Sequence, residues 1–308
     1  MAFAGDSSPA IVSVVVPFPA GGPADWIARE LAPGLQRALG SQVVVENVPG
    51  ASGALGVGRV LGGPRDGAHL LIGSPSEVIV APEVNLALQY RAEQLRLLGV
   101  SAVAPLVLIA RPDLPFATVR DLLKHARDTR ERELNYGSYG VGSIAHVVAE
   151  AFRRQTGARL VHVPYTGAPP MLQDLMGGQI DLAFLPLAGN LLDLVAAGRV
   201  RALAVAAPRE APQLKGVPVL DAAAGLQGFD YELWSGLLVP ADTPEPLCRR
   251  LNAAMRATLS DEALRERVAA AGTTLASPMS LEEAQQFFTQ EIARYRAVAR
   301  DLRIKPAR

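Results

Sequence analysis

The sequence predicts an α/β protein made of two similar units. Short apolar runs rich in β-branched residues alternate with segments of helical periodicity, a pattern typical of mostly parallel sheets covered by helices. The length of 308 residues exceeds what one hydrophobic core comfortably serves, so we expect two domains. A repeat of strand, glycine turn and helix in the two halves of the chain supports the same division.

The first strand and the first helix are joined by a turn rich in proline and glycine. Ile11–Val16 is nearly all apolar and β-branched, which favours a strand buried on both faces. Prolines and glycines at positions 17–23 exclude regular structure, and from Ala24 the apolar residues recur on one helical face. A helix that starts after such a turn presents unpaired backbone N–H groups, which bind an anion without lysine or arginine. The alternative is a plain strand-to-helix turn.

The same order of elements recurs in the second half of the chain. Leu134–Tyr136 is predicted as a strand, Gly137–Ser143 as a glycine loop and Ile144–Gln155 as a helix. Gly40 is followed by Val44, Gly50 and Ala51, and Gly157 is followed at the same offsets by Val161, Gly167 and Ala168. The repeat indicates that each unit offers a glycine loop and a helix N-terminus.

The remaining periodic segments complete the two units. The other predicted strands are Val43–Glu46, Leu70–Ile72, Leu97–Ala110, Val161–Pro164, Asp181–Leu185, Ala202–Ala206 and Trp234–Val239. The other predicted helices are Ala54–Leu61, Val119–Arg127, Pro169–Met176, Leu191–Ala197, Pro244–Leu259, Asp261–Ala271 and Leu281–Arg300. Ser280 and Glu283 have the spacing of a capping box at the start of the last helix.

Two apolar crossings predict the domain boundaries. Leu97–Ala110, which Pro105 is expected to break, and Tyr231–Val239 have the character of hinge strands. The C-terminal helices would then return to the first unit. We therefore expect residues 1–101 and 233–308 to form one domain and residues 102–232 to form the other.

Composition excludes several classes of function. Lys+Arg and Asp+Glu are both 30, so no net charge favours nucleic acid or an anionic lipid surface as a partner. A single cysteine, Cys248, excludes an internal disulfide and a cysteine-based zinc cluster, and its surroundings predict a small packed side chain. Ala2-Phe3-Ala4 has the small-x-small form of a signal cleavage site, which suggests a mature chain without its signal peptide. An ordinary frayed terminus is the alternative.

The motifs for catalysis and cofactor binding are incomplete. A serine nucleophile elbow at Ser138 needs glycine two residues earlier, where Tyr136 stands, and no histidine follows His162. The segment Gly140–Ala145 fits a dinucleotide-binding glycine pattern, but the next strand lacks the acidic residue such a fold requires. The four histidines show no metal-ligand spacing. We expect no cofactor and no metal, and we keep a hydrolase using Ser138 or Asp25 as the alternative function.

Hydroxyl-bearing residues gather where the predicted strands end. Because ligands of open α/β sheets bind at the carboxyl ends of the strands, two such edges that face each other predict a cleft for a small anion. The residues concerned are Ser74, Ser76, Ser138, Ser143, Tyr165 and Thr166. Asp25 is expected to stabilise the first helix rather than to touch the anion. His146 lies either beside the ligand or packed within its helix.

Several motifs together give a family resemblance over nearly the whole chain. They are Val16–Asp25 with Ala28-Arg29, Val44–Ala51, Asp66-Gly67, Leu134–Ser138, Gly142-Ser143, His146, His162–Gly167, Gly177–Asp181 and Arg201–Val205. The chain resembles the substrate-binding proteins of bacterial tripartite tricarboxylate transporters, of the Bordetella uptake type. The resemblance implies a type II periplasmic binding protein fold, with two α/β domains, two hinge crossings and a ligand cleft between them.

The resemblance also implies a function and a set of site residues. Family members capture carboxylates through backbone amides, hydroxyls and water and deliver them to a membrane permease without chemistry, so we expect a monomeric periplasmic receptor. The candidate ligand-binding residues are Phe18, Ala20, Gly21, Gly22, Asp25, Ser74, Ser76, Glu77, Ser138, Tyr139, Gly142, Ser143, His146, Tyr165, Thr166, Gly167 and Pro186. Thr166, Leu185-Pro186 and Glu77 depart from the family pattern. Glu77 is expected to be a solvated loop carboxylate, with contact to a ligand amine as the alternative.

Overall fold

The computed structural model describes residues 9–128 and 130–302. The cleavage-site pattern at positions 2–4 lies outside the described residues. The strands are β1 (Ile11–Val16), β2 (Gln42–Asn47), β3 (His69–Gly73), β4 (Leu95–Ala110), β5 (Leu134–Ser138), β6 (Leu160–Pro164), β7 (Leu182–Pro186), β8 (Arg201–Ala206), β9 (Glu232–Pro240) and β10 (Thr274–Leu275). The helices are α1 (Pro23–Leu39), α2 (Ala54–Leu61), α3 (Ala81–Val84), α4 (Val119–Arg127), α5 (Ile144–Thr156), α6 (Ala168–Met176), α7 (Leu191–Ala196), α8 (Leu220–Ala224), α9 (Glu245–Leu259), α10 (Glu262–Ala270) and α11 (Leu281–Leu302).

The strands form two mixed sheets that share the long strand β4. In the first sheet β2, β1 and β3 are parallel, and β9 and then β4 continue it in antiparallel pairing. In the second sheet β6, β5 and β7 are parallel, and β7 and β8 both pair antiparallel with the end of β4. Hydrogen bonding is therefore continuous through β4, which belongs to both sheets.

The predicted break at Pro105 is wrong, because β4 runs through it without interruption. Pro105 lies opposite Glu232, where the pairing of β4 with β9 ends and the pairing with β7 and β8 begins. A missing backbone N–H is tolerated at such a point. The carbonyl of Pro105 still accepts a hydrogen bond from the N–H of Leu187 at 2.9 Å.

The internal repeat has a structural counterpart at the ends of α1 and α5. Gly40 and Gly157 both adopt the left-handed conformation, with φ of 68° and 69°, and both end their helix through a backbone N–H bond to the preceding turn. The likeness ends at the next turn, where Gly50 has φ of 132° and Gly167 has the extended φ of 175°. The matching spacing in the two halves of the sequence therefore reflects two helices that end in the same way, and the turns that follow them differ in conformation.

Residue patterns within each segment predicted most of the helices and strands, and the elements that were not predicted are short. The capping box is present: the Ser280 N–H donates to the Glu283 carboxylate at 2.6 Å, and the Glu283 N–H donates to the Ser280 hydroxyl at 3.1 Å. The missed elements are α8, β10 and the segment Ser76–Val80, one turn of π-helix that continues into α3. The run Val78-Ile79-Val80 has β-branched character, and tertiary packing decides its helical conformation.

Two groups of buried apolar residues form the core. One lies between α1, α9 and the first sheet, and the other extends from α2 through β4 and the second sheet to α11. Cys248 is fully buried and free, which agrees with the predicted packed side chain. None of the helices formed by residues 9–128 and 130–302 combines the length and the apolar character that a membrane crossing requires.

Candidate ligand-binding cleft

A cavity lies where the turn after β1, the turn after β3 and the loops of the second sheet meet. The space between its walls, including the open mouth and the solvent in it, is about 680 Å³. The lining residues are Phe18, Gly22, Pro23, Ala24, Trp26, Ile27, Ile72, Gly73, Ser74, Glu77, Ala102, Ala104, Tyr139, Ala168, Pro186, Ala188, Leu233, Ser235 and Thr273. The walls are mainly apolar, with a few polar groups.

The N-terminus of α1 forms part of the wall. Gly22 is its N-cap with φ of −83° and ψ of 171°, and Pro23 takes the first helical position, where its missing N–H is no loss. The first intrahelical bond is donated by the N–H of Trp26 to the Gly22 carbonyl at 3.0 Å. The backbone N–H groups of Ala24 and Asp25 come before that bond, so they lack intrahelical acceptors. This end of the helix carries about half a positive charge and favours an anion.

Asp25 holds the turn in shape but does not line the cavity. Its carboxylate accepts hydrogen bonds from the Gly21 N–H at 2.9 Å, the Arg29 guanidinium at 2.9 Å and the Asn47 amide at 3.0 Å. The Asn47 amide also donates to the Phe18 carbonyl at 3.1 Å. Burial opposes ionisation of Asp25, but these bonds, from Arg29 first, outweigh it and lower its pKa. A charged Asp25 therefore fixes the backbone amides of the turn.

Glu77 faces the cavity from the segment after β3 and is completely buried, so the expectation of a solvated loop carboxylate is wrong. The π-helical turn directs its side chain inward, where one carboxylate oxygen accepts from the Ser74 N–H and the other from the Ser74 hydroxyl at 2.7 Å. The Tyr90 hydroxyl donates to the Glu77 carbonyl. A Cβ at Gly53 would lie 2.6 Å from the Glu77 Cβ, so glycine makes room for it. Burial raises the pKa of Glu77 to about 7.

Ser138 and its neighbours form a buried network behind the cavity. The Ser138 hydroxyl lies 2.7 Å from Nε2 of His162 and accepts from the Gly140 N–H at 3.3 Å. The rings of His146 and His162 stack with 4.1 Å between centroids, and desolvation lowers the pKa of each to about 4, which keeps both neutral. Ser138 is fully buried and does not line the cavity. The arrangement gives a substrate no access to this hydroxyl.

The N-terminus of α5 is already occupied by side chains. Ser143 is the N-cap and accepts from the His146 N–H at 3.3 Å, and the Ile144 N–H donates to the Ser76 hydroxyl at 3.0 Å. The Gly142 N–H donates to Nδ1 of His146 at 3.2 Å. These bonds explain why the second glycine loop contributes only Tyr139 to the cavity wall. The start of α6 reaches the cavity instead, through Ala168.

The candidate residues thus divide into two groups. Those that line the cavity are Phe18, Gly22, Ser74, Glu77, Tyr139 and Pro186. Those that lie outside its wall are Ala20, Gly21, Asp25, Ser76, Ser138, Gly142, Ser143, His146, Tyr165, Thr166 and Gly167. Tyr165 donates to Asp174 at 2.7 Å, Thr166 is exposed, and Gly167 packs against Pro19.

Sequence reasoning missed the floor of the cavity. Ala102 and Ala104 on β4 lie opposite Ser235 and Leu233 on β9, and all four line the cavity. Residues two apart on a strand share a face, so small residues at alternate positions were the available signal.

Two α/β sheets joined by long strands, with a partly open cavity beside a glycine turn, form the architecture of a solute-binding protein. Residues 27–304 match the family described as "Tripartite tricarboxylate transporter family receptor", and the chain belongs to this family.

Solved structures agree with the family over nearly the full length of the chain. The Rhodopseudomonas palustris protein Rpa4515, solved with adipate, is 32% identical with a TM-score of 0.90, covering 97% of this chain and 99% of that one. MatC from the same organism, solved with bound malate, is 30% identical with a TM-score of 0.87, covering 94% and 99%. The periplasmic binding protein BugD is 28% identical with a TM-score of 0.89, covering 96% and 99%. The fold is therefore that of periplasmic binding proteins, and the function of the family is binding rather than catalysis.

Proposed function

We propose that the protein captures a small carboxylate in the cavity between its two sheets and delivers it to a tripartite tricarboxylate-type permease. The observation that carries the proposal is the cavity itself, which encloses the free N-terminus of α1 within apolar walls. A carboxylate gains there from aligned N–H groups and the helix dipole. Two relatives whose structures were solved with adipate and with malate also support a carboxylate ligand.

The proposed architecture keeps the predicted boundaries, with residues 1–101 and 233–308 in one domain and residues 102–232 in the other. The passage of β4 from one sheet to the other supports the division. Contacts across the cleft support its closure over a ligand: the turn at Gly167 packs against Pro19, and Gly140 lies against Ser52. We further propose that the protein acts as a monomer in the periplasm.

In the proposed site, the residues of the cavity wall contact the ligand directly. The remaining candidates hold these residues in position. Phe18, Gly22 and Ser74 are contact residues by position. Asp25 acts through the turn that it braces. Ser138 and Ser143 act through the packing of the second glycine loop, because their hydroxyls already have partners inside the protein.

The test is a binding screen with a variant that fills the cavity. Mono- and dicarboxylates, amino acids and aromatic acids are added to the protein, and the melting temperature is recorded. A ligand that binds only the folded state adds about 2.7 kcal/mol of stability at a hundredfold excess over Kd. Native mass spectrometry of freshly purified protein then shows the mass of any retained acid.

The cavity-filling variant is Ala104→Phe, which places a ring into the floor of the cavity. We expect it to abolish the thermal shift while circular dichroism shows an intact fold. Ala222→Phe, at an exposed position on α8, is the matched control and keeps the shift. A screen in which no carboxylate shifts the melting temperature, or an Ala104→Phe variant that binds as the parent does, contradicts the proposal.

A further inference from the structure

Glu77 is unusual among the residues of the cavity wall. Within the described part of the chain it is the one lining residue with an acidic or basic side chain. It is completely buried, and the hydrogen bonds to its carboxylate come from Ser74. No ion pair to Glu77 occurs among residues 9–128 and 130–302, although other buried carboxylates do have one, such as Asp181 with Arg111 and Arg132.

This arrangement favours a cation in the cavity, next to the Glu77 carboxylate. Ser74 can donate to both oxygens of Glu77, so an ionised carboxylate keeps two hydrogen bonds at this place. A buried carboxylate that lacks a cationic partner is costly, because it has lost its water without gaining an opposite charge. Ser74 compensates for part of that cost through two hydrogen bonds. The side of Glu77 that faces the cavity is the side from which a further partner can approach.

The cavity wall therefore contains two chemically different polar features. The N-terminus of α1, at Gly22 and Ala24, attracts negative charge. Glu77 attracts positive charge or a strong hydrogen-bond donor. The rest of the wall is mainly apolar, with Phe18 and Ile72 among its members. A ligand that satisfies both features carries a carboxylate and a protonated amine on one short carbon skeleton.

We propose that Glu77 makes this receptor selective for amino carboxylates, with the ligand ammonium held by Glu77 and the ligand carboxylate held at the N-terminus of α1. The inference rests on the proposed carboxylate-binding function and narrows its ligand class. The competing arrangement is a protonated Glu77 that donates a hydrogen bond to the second carboxylate of a dicarboxylate. The two arrangements predict opposite preferences between ligands of matched size.

The test uses ligand pairs that differ in the amine. Isothermal titration compares 6-aminohexanoate with adipate and aspartate with succinate, supplemented by amino and dicarboxylate pairs of other lengths. We expect the best amino carboxylate to bind at least tenfold more tightly than its matched dicarboxylate, about 1.4 kcal/mol. Glu77→Gln, which has the same shape without the charge, lowers the affinity for the amino carboxylate at least tenfold. Glu77→Asp, which keeps the charge, retains part of the preference.

The control is Glu46→Gln, which removes a carboxylate on β2 that is bonded to Ser13 and Arg59 and lies outside the cavity. It leaves both affinities unchanged. Dicarboxylates that bind better than their amino partners overturn this inference and leave the proposed function standing. The absence of binding by every carboxylate, with or without an amine, overturns both.

Discussion

Replacement of Glu77 by glutamine is expected to stabilise the protein at high pH and to have little effect at low pH. Glu77 is completely buried, and burial raises its pKa from the ordinary value of 4.5 to about 7. Between these two values the folded protein holds a proton on Glu77 that the unfolded chain releases. The free energy of unfolding therefore falls as the pH rises from 4.5 to 7. Glutamine removes this dependence because it does not ionise.

The size of the effect follows from the difference between the two pKa values. A difference of about 2.5, from 4.5 to about 7, at 1.36 kcal/mol for each unit of pKa gives about 3 kcal/mol at pH 8. The backbone N–H of Ser74 can still donate to the glutamine oxygen, and the hydroxyl of Ser74 can turn to accept from the glutamine amide. Glutamine therefore recovers most of the hydrogen bonding while it avoids the cost of the buried charge.

The assay is urea unfolding of both proteins, without ligand, at several pH values from 5 to 8. We expect the stability difference in favour of Glu77→Gln to grow from pH 5 to about pH 7 and to level off above it. Glu46→Gln is the matched control with the opposite sign: the hydrogen bond from Ser13, at 2.8 Å, lowers the pKa of Glu46, so its loss removes stability that is present at neutral pH. A difference between wild type and Glu77→Gln that stays constant over this range refutes the argument.

Three further substitutions test a contact across the cleft, a helix cap and a contact between helices. In Gly167→Ala the new Cβ would lie 2.4 Å from Cδ of Pro19, so the two turns separate, and titration should show at least fivefold weaker ligand binding, about 1 kcal/mol. Ser143→Ala removes the N-cap of α5 and should lower the free energy of unfolding by about 1 kcal/mol, with Ser143→Asn restoring it. Gly34→Ala would place a Cβ 2.5 Å from Cγ2 of Thr258 and should cost about 1–3 kcal/mol, much of which the added change Thr258→Ser recovers.

The sequence predicted the elements well because their signals are local. Apolar periodicity marks strands and helices, and glycine marks helix ends such as Gly40 and Gly157. The same reasoning treated the turns before α1 and α5 as equivalent, but the first places a helix N-terminus in the cavity wall, whereas the second contributes only Tyr139. The N–H of Ile144 is taken by Ser76, which lies 68 positions earlier in the chain. A bond between such distant residues has no local sequence signal.

Glu77 shows a second limit of the same kind. A carboxylate between serine, proline and valine residues has the local character of a loop, and a solvated side chain was the expected result. Its burial depends on Gly53, which leaves room for the Glu77 side chain, and on Tyr90, whose hydroxyl donates to the Glu77 carbonyl. Both lie more than ten positions away in the sequence. A sequence pattern can therefore identify the acidic residue without indicating that it is inside the cleft.

The small residues on β4 and β9 connect the fold to the function. Ala102 and Ala104 lie opposite Ser235 and Leu233, and together they form the cavity floor. The same two strands pass between the parts of the chain that we assign to different domains, so a ligand would touch the crossing strands directly. A larger side chain at Ala104 would fill the cavity as well as crowd the sheet. Packing within the sheet alone would favour larger β-branched residues at Ala102 and Ala104. We therefore infer that these two positions are small because the proposed ligand needs the space above them.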